Sequence, residues 1–433
     1  MDNTVRRTPP LIVPVRGTAL RSPPALLALA LLTFVPGGCE PAPISDSDTA
    51  IRSDSAGVML VEYPSLPPIQ ESRIAIADEP ELVLGDGVAF AGPAYDFFRI
   101  SGVSQLQDGT LVVANAGSRE LRFYGADGHF LRSVGRDGDG PGEFRALYNH
   151  WIIAGDTIVV WDRAVRRLQH FGPDGAFVRS MSMATAAPFA GFADWIEPQA
   201  FLEGGRLAMF IGSPGAPLPV LGSERRLLLV ALHRIDEGGW DSVRVVPGSE
   251  SGYQFGAYTR AAGAGATLAV ADVARFRVEL FNPDGSLVSI LSTSVPEIPV
   301  TADVIEAQIE LEVGSGWWRD PTAEFVEGLR SRYSARHRPF LPAIRDIFVD
   351  ADERIWVERY DVPARGSSRW EVFERDGTWI GRVEMPAGFP RGTQDVRQAP
   401  YFSVASGRLA GVWTDSDTGA ATVRVYRVIE PDS

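Results

Sequence analysis

Side chains able to do chemistry are few and scattered along this chain. There are five histidines: His129, His150, His170, His233 and His337. No two of them have the i, i+4 spacing that would pair metal ligands on one helix face. His129, His170 and His233 lie beside hairpin turns, where packed or exposed structural roles are expected. His150 opens a strand read below as innermost in a ring, and it could face a central channel. Cys39 is the single cysteine, so no disulfide framework and no cysteine-based zinc site can be built. There is no Gly-x-Ser-x-Gly elbow, phosphate loop or dinucleotide fingerprint. Asp137, Asp139 and Glu143 begin like a calcium loop, but the bidentate Glu that such a loop needs further on is missing at its spacing. A structural turn is expected there. The sequence assigns no catalytic residue.

The elements that position these residues follow from composition and repeats. Of 433 residues, 44 are Gly and 32 are Pro, which favours many short strands joined by turns. The formal net charge is −14, and all 41 basic residues are Arg. An acidic surface repels phosphate backbones, so nucleic acid is not expected as a partner.

The N-terminus reads as an address. Arg6, Arg7, Arg16 and Arg21 precede an apolar run from Ala25 to Val35. That run is too short for a bilayer span of about 20 residues and fits a secretory signal. Gly37 and Gly38 stand directly before Cys39. The arrangement resembles a bacterial lipoprotein signal, with Val35 and Gly38 fitting the pattern and Pro36 standing where Leu is usual. The resemblance implies cleavage after residue 38, lipid on Cys39 and attachment to a membrane of the cell envelope. Glu40 is not the Asp of inner-membrane retention, which points to the outer membrane. Residues 39–57 are Pro-, Ser- and Asp-rich and are expected to form a flexible tether.

The body, residues 58–433, is a repeat. Leu121-Arg-Phe-Tyr-Gly-Ala-Asp-Gly-His-Phe-Leu-Arg-Ser-Val recurs as Leu168-Gln-His-Phe-Gly-Pro-Asp-Gly-Ala-Phe-Val-Arg-Ser-Met, and again from Val278 and from Trp370. Each copy is an alternating strand, an Asp-Gly turn and a second alternating strand, a strong hairpin signal. Another strand pair precedes each copy, as in Gly102–Asn115 and Trp151–Asp162. Four strands per unit at a period just under fifty residues describe the blades of a β-propeller. Blades are expected near 99–135, 146–182, 195–246, 258–294, 343–386 and 400–430. The last shows only three strands, and the spare strand from Glu81 should supply its fourth and close the ring. A pair of β-sandwiches is the competing architecture, but sandwiches do not repeat one four-strand unit with the same turn. Residues 295–342 break the pattern. Helices are expected over Thr301–Val313 and from Asp320-Pro321 onward, forming a small cap between blades four and five.

The loop Gly135-Arg-Asp-Gly-Asp-Gly-Pro-Gly-Glu-Phe144 resembles the loop between the first two blades of TolB-like or NHL-like six-bladed propellers of bacterial lipoproteins. That resemblance implies fold and export. It implies activity hardly at all, because propellers host many functions. Lactonase-type propeller enzymes resemble this fold and hold a divalent metal such as calcium through carboxylates and Asn on innermost strands. Their resemblance makes Asn149, Glu197 and Asp346 the candidate ligands. Loops 115–119, 162–166 and 272–275 share an Asn or Asp followed by Arg. Asx turns explain the acids, and the arginines could form an anion-receptive rim. The expected function is therefore a binding or interaction module. It is anchored to the membrane by its lipid and takes a protein or small ligand on one face. The alternative is a metal-dependent, lactonase-like hydrolase or lyase working in the channel.

Overall fold

The computed structural model describes residues 50–430 except 88, 184–194, 213–224, 236–237, 251–254, 315–320, 361–367, 387–388, 390–401 and 415–419. The signal 1–38 and Cys39 lie outside the described residues. Strands form six sheets in a ring, a six-bladed β-propeller whose blades are each four antiparallel strands. The innermost strands are Ile100–Gln105, Leu147–Ile153, Trp195–Leu202, Thr259–Ala264, Ile344–Val349 and Phe402–Ala405. A separate apolar cluster fills each of the six junctions between neighbouring blades. Sheets packed face to face around a ring bury both faces of each blade, which explains the runs of consecutive apolar residues in the inner strands. Two sandwiches would not give this cyclic set of interfaces.

The repeated turn is built the same way in four blades. Gly128, Gly175, Gly285 and Gly377 take φ values of 85°, 79°, 85° and 82°, which side chains rarely adopt. The preceding Asp127, Asp174, Asp284 and Asp376 each accept a hydrogen bond from the backbone N–H two residues on. A β-bulge follows at the same place, next to Tyr124, Phe171, Phe281 and Phe373.

Ring closure follows the expected scheme. Leu82–Leu84 pairs antiparallel with the outer strand Ala421–Ile429 of blade six, and Ala75–Ile76 continues the same edge. The segment before it departs from expectation. Residues 51–57, read as the end of a flexible tether, form the strand Ile51–Ser55 and a turn at Ala56-Gly57. This strand pairs with Val58–Tyr63, which lies parallel to the outermost strand Leu287–Thr293 of blade four. Ile51–Ser55 is exposed throughout, so no apolar pattern marks it. Backbone pairing onto a free sheet edge is what orders it.

The insertion contains two helices, Ala302–Gly314 and Ala323–Ala335. The second begins later than its Pro suggests: the Thr322 side chain caps it, accepting from the Phe325 N–H at 3.2 Å. Asp320 lies outside the described residues. Val304, Ile305, Ile309, Leu329 and Tyr333 pack together with Phe255 and Tyr360, so the helices sit against blades four and five.

Candidate functional site

Loops from an outermost strand to the next innermost strand all emerge on one face, and the insertion is the longest of them. On this face the second strand of a blade also ends. There Asn115 Oδ1 accepts the Phe98 N–H at 2.8 Å, and the Asp162 carboxylate accepts the Arg145 and Ala146 N–H groups at 2.9 and 3.0 Å. Both side chains pin the chain that enters their own blade, a larger task than the local Asx turn expected. Asp272 instead receives both Arg225 Nη1 contacts, at 2.8–2.9 Å, and the Ala274 N–H.

The loop 135–144 is a structural clasp. Arg119 and Arg145 bind Asp137, Arg145 binds Asp139 at 2.7 Å, and Arg136 binds Glu143 at 2.6 Å. Phe144 is fully buried against Phe171 between blades one and two. A side chain on Gly135 would come within 2.6 Å of that ring. With their carboxylates matched by guanidinium groups, Asp137, Asp139 and Glu143 work as turn residues.

Two of the three metal candidates pair with arginines. Glu197 accepts the Trp161 indole N–H at 2.9 Å and lies 3.3 Å from Arg163 Nε. Asp346 Oδ1 lies 3.1 Å from Arg260 Nε. Asn149 is buried on blade two, in register with Trp161, and Asp346 stands on blade five, across the ring. Among the described residues, no group of three or more His, Cys, Asp or Glu is placed to hold a metal ion.

His150 is buried beside Gly102 of blade one, where any Cβ would meet its ring at 3.0 Å. Neither ring nitrogen has a hydrogen-bond partner among the described residues, and burial pulls the imidazole down to about 4, so it is neutral. Two other histidines pack against aromatic rings. His129 meets the Phe90 ring edge-on, and His233 lies 4.5 Å from the Trp240 ring.

A charged cluster that the sequence reading missed lies beneath the helical insertion. Arg260, Arg345, Asp346 and Glu358 are all buried. Arg260 lies over the Tyr258 ring at 5.0 Å and Arg345 over the Tyr360 ring at 5.2 Å. The Tyr258 hydroxyl donates to the Arg345 carbonyl at 2.6 Å, and Ser368 donates to Glu358 at 2.7 Å. Burial pushes the Asp346 carboxyl up, against the pull of Arg260. Arg345 Nε and Nη1 are buried with no hydrogen-bond acceptor among the described residues. Tyr360 belongs both to this cluster and to the core of the insertion, so the cap touches the channel wall. The sequence signal was present, since Arg345-Asp346 and Glu358 interrupt apolar strands.

These features define a six-bladed propeller with a capped, charged channel wall. No family profile and no curated protein matches the chain. Solved structures do. It is similar to a DUF4221 family member from Bacteroides vulgatus, with TM-score 0.50, 10% identity, and 84% of this chain and 100% of that one covered. A candidate exported protein of Bacteroides fragilis covers 86% of this chain and 100% of its own, at TM-score 0.44 and 10% identity. A gluconolactonase from Xanthomonas campestris covers 82% and 97%, at TM-score 0.39 and 15% identity. At such identities the likeness is one of fold.

Proposed function

We propose that this protein is an exported, lipid-anchored β-propeller that acts as a binding module and takes its ligand on the face bearing the helical insertion. One observation carries the reading: Arg345 is buried under the cap, and its Nε and Nη1 have no acceptor among the described residues. Burying a cation is costly, and an apolar side chain in its place is often neutral or stabilising. A ligand oxygen gives that arginine a reason to stay. The basic start, the short apolar run and the lone Cys39 support export and lipidation. The entry of the chain fits the same orientation. Ile51 pairs with Glu62, next to Tyr63 at the end of a strand that runs parallel to Leu287–Thr293 toward the insertion. The chain therefore enters the body at its insertion face.

For a channel metalloenzyme, Glu197 and Asp346 would have to leave Arg163 and Arg260, with which they pair. The binding reading is tested with the full chain and its Arg345→Met variant in a thermal-shift screen of small polar compounds. Compounds that raise the melting temperature of the parent should leave that of the variant unchanged, while the variant alone melts no lower than the parent. Stabilisation of both proteins by the same compounds would overturn the role of Arg345. Cys39→Ser should abolish palmitate labelling, and labelling that persists would remove the anchor.

A further inference from the structure

A second feature of the insertion face is a cleft of about 420 Å³ where the chain leaves the insertion and meets the outer part of blade four. That volume lies within the roughly 300–1,000 Å³ of small-molecule sites. We propose that this cleft binds a small organic anion, a carboxylate or phosphate carried on an apolar body. The inference rests on the binding-module reading but uses arginines other than the channel's Arg345.

The lining reverses the charge of the molecule. Overall, 55 acidic residues outnumber 41 arginines, yet the cleft presents Arg275, Arg277, Arg338 and Arg359 against only Glu62 and Glu297. Two of these arginines are engaged elsewhere: Arg277 with Glu279 at 3.3 Å and Arg359 with Glu371 at 3.7 Å. The other two have donors to spare. Arg275 is exposed and has no side-chain partner among the described residues. Arg338 reaches Glu250 only at 3.8 Å through Nε, and its Nη1 is buried with no acceptor among the described residues. Arg119, at the equivalent loop of blade one, is spent on Asp137 at 2.8 Å, which sets Arg275 apart within the rim. A guanidinium offers a planar fork of donors that matches carboxylate and phosphate oxygens, and a buried donor without an acceptor gains most from one. Beneath the arginines lies an apolar floor of Phe276, Leu341 and Tyr360, all buried. Pro296, Pro339 and Pro342 stiffen the walls, which limits the ordering cost of binding.

The test uses the full chain in detergent and isothermal titration with benzoate, its neutral counterpart benzamide, and inorganic phosphate. Benzoate should bind in the millimolar range or tighter, at least tenfold better than benzamide and better than phosphate, and should weaken as salt rises. Arg275→Gln and Arg338→Gln should each reduce benzoate affinity about tenfold, with circular dichroism and melting temperature unchanged. Absent binding, equal binding of benzamide, phosphate binding as well as benzoate, or undiminished affinity in both variants would each overturn the proposal. If one variant misfolds, the other and the salt dependence decide. Arg275→Gln and Arg338→Gln leave the channel arginine in place, so failure here and failure at the channel are read separately.

Discussion

Replacing His150 by Met should change how stability depends on pH, in a direction opposite to replacing Asp350 by Asn. Burial holds the His150 imidazole down at about 4, against an ordinary 6.5. Between these values the unfolded chain binds a proton that the folded chain refuses. His150 therefore contributes stability that is present above about pH 6.5 and is lost as pH falls toward 4. Asp350 does the reverse. Burial raises its carboxyl from 3.8 to about 6, although Trp356 Nε1 and the Arg354 N–H donate to it at 2.8 Å each. Its folded-state advantage is full below pH 3.8 and is lost as pH rises through 6. At about 1.4 kcal/mol per pH unit, each group moves stability by about 3 kcal/mol across this window. In the parent protein the two trends nearly cancel. Urea unfolding between pH 4 and 7, followed by tryptophan fluorescence, separates them. Relative to the parent, H150M should gain about 3 kcal/mol on going from pH 7 to 4, and D350N should gain about as much from pH 4 to 7. The carbon resonance of the His150 ring, identified by its loss in H150M, should titrate near 4. Variant curves that run parallel to the parent, or a His150 midpoint near 6.5, would refute the reasoning.

Two further outcomes concern the scaffold. Asp162→Ala strands the Arg145 and Ala146 N–H groups and the Arg167 contact at 3.4 Å, and should cost about 3 kcal/mol or more in denaturant unfolding. Phe144→Ala empties the junction of blades one and two and should cost about 3–5 kcal/mol, read from the same midpoint shift.

Much of the fold was legible because a propeller repeats its instructions. Four Asp-Gly turns with the same flanking alternation fix the blade hairpins, and a three-stranded last blade beside a spare strand at Glu81 announces the closure. The strand Ile51–Ser55 was not legible, since a strand added to an existing edge needs only its backbone and carries no apolar pattern. The candidate site was legible only in part. Asn149, His150, Glu197 and Asp346 are all buried on innermost strands as placed. Their partners are what the sequence withholds, because Arg163 comes from the neighbouring blade and Arg260 from the preceding one. Pairing across blades depends on the register of two sheets at once, and a shift of one residue reverses every side chain. Arg345 and Glu358 stood out only as charges in apolar strands, a signal that ordinary edge residues share.

The account stands most directly on where a ligand sits. Hydrogen–deuterium exchange of the full chain, with and without a compound that stabilises it, measures this. Added protection should fall on the insertion helices 302–314 and 323–335 and on strand starts 258–260 and 344–346. Protection confined to the opposite face, at the turns 106–110 and 350–354, would contradict the assignment of the binding face.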